Sequence, residues 1–175
     1  MKEENKKSLR SFINNWITPS LFVIALVFFI NTFLFFKVEI PSGSMLPSLN
    51  IGDKLLAKRV YDLKKLNRGD MIIFYFEPED RMYIKRLIGL PNDEIVIKNG
   101  IVSVNGEILL EDYVKNQKEF SGEYKVPLDK YFFLGDNRAD SFDSRYWDNP
   151  YIYHKDIKGK AIIKIYPFND IEFIE

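Results

Sequence analysis

The sequence predicts an all-β domain, a barrel-like or folded sandwich, carried on one N-terminal transmembrane helix. Three observations predict it: a long uncharged apolar stretch near the N-terminus, a succession of short runs rich in β-branched and aromatic residues after it, and Asn-Gly pairs that join such runs. The 175 residues are 46% hydrophobic and 15% aromatic, enough to bury the core of one domain. Formal charge sums to zero. With no global basic field, and no Walker loop or Rossmann glycine fingerprint, nucleic acid is not an expected partner. The chain has no cysteine and a single histidine, His154. Disulfides, thiol nucleophiles and Cys- or His-rich metal sites are therefore not expected, and neither is a cofactor.

The elements follow in order. Residues 1–16 form a charged tail in which Lys2, Lys6, Lys7 and Arg10 outnumber Glu3 and Glu4. Residues 17–36 are the anchor: no charge lies between Arg10 and Lys37, and "SLFVIALVFFINTFLFF" supplies nearly all of the ~20 apolar residues that span a hydrocarbon core. Basic residues thin out after it, so the positive-inside bias places the N-terminus in the cytoplasm and residues 38–175 outside. A cleavable signal peptide is the competing interpretation, but its apolar region of about 7–15 residues is shorter than this one. In residues 38–175, strands are expected at 54–60, 71–76, 82–90, 94–98, 101–104, 131–134 and 159–168. Asn99-Gly100 is a two-residue hairpin signal, Asn105-Gly106 suggests another turn, and 110–129 reads as a polar loop or edge segment.

Three segments have chemistry to offer. In "IPSGSMLP" a glycine and two prolines fix an irregular backbone that suits presenting Ser44 at a surface, although a plain turn has the same composition. Serine needs a base to become a nucleophile. His154 sits among tyrosines with no serine-bearing motif beside it, whereas a Ser-Lys pairing is a known variant of triad logic. In "MYIKRLIGL" alternation puts Tyr83, Lys85 and Leu87 on one face and Ile84, Arg86 and Ile88 on the other, so each face of an apolar strand carries a charge. Burial lowers a lysine's pKa and so creates a base near neutral pH; a solvated edge lysine is the ordinary alternative. In "LGDNRADSFDSRYW" Asp143 and Arg145 are placed to pair locally and Ser141 to orient an amine, although a solvated polar turn would look much the same.

Together these segments resemble the bacterial type I signal peptidases, membrane-anchored Ser-Lys proteases. The likeness runs in order through the anchor, "PSGSMLPSLNIGD", "RGDMIIF", "YIKRLIGLPND" and "GDNRADSFDSR". It implies Ser44 as nucleophile, Lys85 as general base, and Ser42 with the Ser44 backbone N–H as oxyanion hole. It further implies that Ser141 orients the lysine, that Asp143 and Arg145 support the site, that Asp136 has a structural role, and that Ile40, Tyr83 and Ile84 line the substrate cleft. The single anchor and short segment between Asp93 and Gly135 are similar to the small Gram-positive forms. The implied partners are preprotein signal peptides with small residues at positions −1 and −3, and the lipid bilayer. Two alternatives are a self-cleaving repressor on a similar β scaffold, which would need a DNA-binding helical domain in place of the anchor, and a non-catalytic tethered adaptor.

Overall fold

The computed structural model describes residues 13–174, so most of the 1–16 tail lies outside the described residues. The chain divides into two compact units after Phe36. In the first, the segment Asn15–Leu34 is long and apolar enough to cross a membrane, and none of it is buried in the protein. Its centre is the α-helix α1 (Thr18–Phe29), with single π-helical turns at Ile13–Ile17 and Ile30–Leu34. The segment is apolar on every side, as a helix needs to be when surrounded by hydrocarbon and satisfying its backbone internally. Extended backbone begins at Phe35, so the last two residues of the expected anchor belong to the first strand, β1 (Phe35–Glu39).

The second unit is all β. Its longer strands are β2 (Lys54–Arg59), β3 (Met71–Phe76), β4 (Arg81–Gly89), β5 (Glu94–Lys98), β6 (Ile101–Val104), β9 (Lys130–Leu134) and β11 (Ile157–Tyr166). Shorter or more polar strands are β7 (Glu107–Ile108), β8 (Gly122–Lys125), β10 (Ile152–Tyr153) and β12 (Glu172–Phe173). Among the described residues an eight-stranded sheet runs β1-β2-β11-β3-β4-β9-β10, with β12 also on β11, and a four-stranded sheet runs β7-β6-β5-β8. The Asn-Gly signals become tight turns: Asn99 and Gly100 have φ of 51° and 82°, and Asn105 and Gly106 have φ of 53° and 86°. Positive φ at both central residues matches the right-handed twist of the flanking strands.

The two sheets share β4 and β9 through alternation. Leu87 and Phe133 face a core with Ile72, Phe74 and Trp147, while Ile88, Phe132 and Leu134 face a second core with Ile95, Ile97, Val102 and Val104 from the small sheet. Covering both faces explains why these strands read as nearly continuous apolar runs. The small sheet lies so close that a Cβ on Gly89 would meet Ile95 Cδ1 at 2.5 Å and Phe132 Cβ at 2.8 Å. This is the folded all-β architecture the sequence predicts. The segment 110–129 contains β8 but is otherwise irregular.

Candidate active site

Ser44 sits in a single turn of 3₁₀ helix, Gly43–Met45. Apolar side chains on either side hold that turn down: Ile40, Met45 and Leu49 are all essentially buried. Its base is closed by Ile40 N–H donating to Asp53 O at 2.9 Å and Gly52 N–H donating to Ile40 O at 2.9 Å. Ser42, just before the turn, is extended and exposed. Burial of Ile40 separates it from its neighbours: Glu39 and Pro41 line the adjoining groove, but Ile40, expected in the cleft, lies beneath it.

The groove has a volume of about 540 Å³, and Ser42, Ser44, Tyr83, Ile84, Lys85 and Phe142 are among the residues that line it. Lys85 arrives on β4, paired with Ile72 of β3, and is only 4% exposed. Its ammonium lies 5.5 Å from the Tyr83 ring centroid. Burial pushes the amine down from 10.5 to about 8; the Asp143 carboxylate opposes that fall, Arg145 adds to it, and Asp136 and Asp140 oppose it. Among the described residues Lys85 Nζ has no hydrogen bond or ion pair, and the buried Ser141 Oγ has no hydrogen-bond partner. A buried amine with a lowered pKa that lines a groove holds its proton more weakly than a solvated lysine does.

Behind the groove the segment from Gly135 to Arg145 supplies the support. Arg145 Nε and Nη2 donate to Asp143 Oδ1 and Oδ2 at 2.8 and 2.9 Å, and the Gly135 N–H donates to Asp143 Oδ2 at 3.0 Å. Asp136, fully buried, accepts from Arg86 Nε and Nη2 at 2.8 and 2.6 Å and from Ser48 Oγ at 2.6 Å. The Ser48 bond ties the segment that carries Ser44 to Asp136 and, through Arg86, to β4. A Cβ on Gly135 would meet the Ser44 carbonyl oxygen at 2.5 Å and come closer still to Ser141 Oγ. The serine turn and Ser141 therefore press against the same bare backbone, and only glycine leaves room for both. His154, by contrast, is exposed, with its ring nitrogen 3.3 Å from Asp129 O.

Three contributors were not singled out from the sequence. Arg86, next to Lys85, is as buried as the lysine and is paired with Asp136 on the other face of β4. Its alternation with Lys85 was a usable signal, because a buried guanidinium cannot shed its proton and needs a carboxylate. Asn137 donates its backbone N–H to Ser44 O at 3.1 Å and its Nδ2 to Gly43 O at 3.0 Å. Glu111, in the expected polar loop or edge segment, makes a buried two-pronged ion pair with Arg138 at 2.5 and 2.8 Å. No local pattern marks the last two, since each depends on a distant segment.

The model of the family described as signal peptidase, peptidase S26, matches residues 13–166. Among similar proteins, a probable signal peptidase I-2 of Synechocystis sp. is 34% identical across 95% of this chain and 81% of its own length. A signal peptidase I P of Bacillus subtilis subsp. natto is 37% identical over 97% of this chain and 96% of its own. A crystal structure of a signal peptidase I from Enterococcus faecalis V583 is 30% identical, covering 57% of this chain and 98% of that chain with a TM-score of 0.48. On the family match and the near full-length likeness to these relatives, the chain belongs to the signal peptidase family, peptidase S26, and is a peptidase.

Proposed function

We propose that this chain is a membrane-anchored endopeptidase that removes signal peptides from secreted preproteins, with Ser44 as nucleophile and Lys85 as general base. The observation that carries the proposal is the buried Lys85 amine, lowered to about 8, lining the same groove as Ser44 and Ser42. Neutral Lys85 takes the Ser44 proton as Oγ attacks the scissile carbonyl, and gives it to the departing amine as the tetrahedral intermediate collapses. Water then attacks the acyl-enzyme, with the lysine again accepting a proton. Ser42 Oγ and the Ser44 N–H donate to the carbonyl oxygen as charge develops on it. Ser141, whose Oγ has no partner among the described residues, turns to accept a hydrogen bond from the lysine once substrate is bound and so orients it, while Asp143 with Arg145 holds the loop behind it and Asp136 braces the two segments.

Tyr83 and Ile84 form the wall along which an extended substrate pairs by its backbone, and shallow pockets there admit the small side chains at positions −1 and −3. The apolar helix that ends at Leu34 anchors the chain in the bilayer, the charged N-terminal tail lies in the cytoplasm, and domain 38–175 works outside. Ser44 follows Phe36 by so few residues that the intervening chain reaches at most ~28 Å, near the surface where a preprotein's cleavage site emerges. The test is incubation of the purified chain in detergent with a preprotein, followed by N-terminal sequencing of the product. Cleavage after a small residue, abolished in Ser44→Ala and Lys85→Ala, is the expected result. Near-normal turnover by Lys85→Ala would remove the lysine from the mechanism.

A further inference from the structure

The connection between β7 and β8, residues 109–121, is the segment whose sequence looks least functional, yet it grips the catalytic loop at three places. Glu111 holds Arg138, whose Nε donates to the Gly135 carbonyl at 3.0 Å. The Tyr113 ring lies 3.9 Å under the Arg86 guanidinium that binds Asp136, and its hydroxyl donates to Glu111 at 2.8 Å. Asn116 accepts the Ala139 N–H at its backbone oxygen, 3.0 Å away, and its Nδ2 donates to Asn137 Oδ1 at 2.8 Å. The connection is itself tied to the small sheet at both ends: Leu109 N–H donates to Val102 O and Gly100 N–H to Phe120 O, each at 2.9 Å.

We infer that this connection is a strut for the nucleophile, and that Asn116 is a positioning residue acting on Ser44 through Asn137. The inference rests on the assignment of Ser44 as nucleophile. Its logic is one of donors and acceptors. Asn137 is 6% exposed and has only one useful orientation: Nδ2 must face the Gly43 carbonyl, so Oδ1 faces Asn116 and requires a donor there. Asn116 supplies that donor. Asn116 is itself exposed, so removing it opens Asn137 Oδ1 to solvent and takes away the fixed donor that sets its orientation, which loosens its hold on Gly43 and with it the serine turn. Asn116→Asp is worse than Asn116→Ala, because its carboxylate presents an acceptor to an acceptor and repels Oδ1. Asn116→Ala changes no charge near Lys85.

The experiment is steady-state cleavage of a preprotein by the full chain in detergent, for Asn116→Ala, Asn116→Asp, Asn137→Ala and the Ala/Ala double variant, with thermal unfolding of each. Expected is a kcat lowered about 10- to 100-fold in Asn116→Ala, since a displacement of the order of 1 Å costs that much, with KM little changed and the acid limb of the pH profile unmoved. Asn116→Asp falls further, and Asn116→Ala adds almost nothing in the Asn137→Ala background. A kcat within twofold of the parent, multiplicative effects in the double variant, or losses that track only the fraction unfolded would each overturn the strut. Ser44→Ala run alongside separates the two levels. If it still cleaves, the nucleophile assignment fails; if it is dead while Asn116→Ala is normal, only the strut fails.

Discussion

Lys85→Met should make the chain inactive and, at neutral pH, more stable. Methionine keeps an unbranched stem of similar size but carries no charge, and Lys85 is 4% exposed. The amine's fall from 10.5 to about 8 corresponds, at 1.36 kcal/mol for each pH unit, to about 3 kcal/mol of disfavoured burial of the charged form. The folded value lies below the unfolded one, so between pH 8 and 10.5 the unfolded chain binds more protons and wild-type stability rises with pH. Below that window both states are protonated and the full cost applies; above it neither is, and the cost vanishes. Lys85→Met should therefore exceed the parent by about 3 kcal/mol at pH 7, with the difference shrinking toward zero by about pH 10.5. Urea unfolding of both chains in detergent, followed through the near-ultraviolet signal of buried Trp147, measures it. Other groups titrating in the window cancel in the difference. A difference that is flat from pH 8 to 10.5, or no gain at pH 7, would refute the claim that this amine is held in a dry site.

The same electrostatics predict a turnover rate that falls in acid with a limb near pH 8, and Asp140→Asn, which removes a carboxylate favouring the charged amine, should move that limb to lower pH. Gly135→Ala should reduce kcat about 100-fold or more, as the added methyl forces Ser141 and the Ser44 backbone apart. Asp136→Ala leaves the Arg86 guanidinium buried and unpaired, and a denaturant midpoint should report a loss of about 3–5 kcal/mol.

Much of this was legible in the sequence, for physical reasons. Strands β2, β3, β4, β5, β6, β9 and β11 announce themselves because each is long enough for its composition to report the core on one or both faces. Strands β7, β10 and β12, at two residues each, are too short to show any period, and β8, "GEYK", is polar; their pairing is dictated by a neighbour's backbone. Ser44, Lys85 and the Asp143–Arg145 pair could be nominated only because several segments in order resemble a known family, since each segment alone reads equally as a plain turn, an edge lysine or a solvated loop. Asn116 and Glu111 could not, because a polar residue in a polar segment carries no sign of the partner it will meet 21 or 27 positions later. The burial of Ile40 was illegible for a related reason: the segment's extended conformation was foreseeable, but which side of it faced the core was not.

The arrangement of charge around β4 explains how one strand carries two buried cations with opposite requirements. Arg86 cannot deprotonate, so it holds Asp136 in a two-pronged pair and stays charged. Lys85 can deprotonate, and its low value requires that no carboxylate commit to it. Asp143 is near enough to pull the amine back toward the charged form, but both its oxygens already accept from Arg145, whose positive charge pushes the other way. Asp136 is likewise occupied by Arg86 and Ser48. Each buried carboxylate that acts on the lysine thus has its own arginine, and desolvation is left as the largest influence on the amine. The four charged side chains form two satisfied pairs around one unsatisfied lysine, an arrangement that costs stability and weakens the amine's hold on its proton.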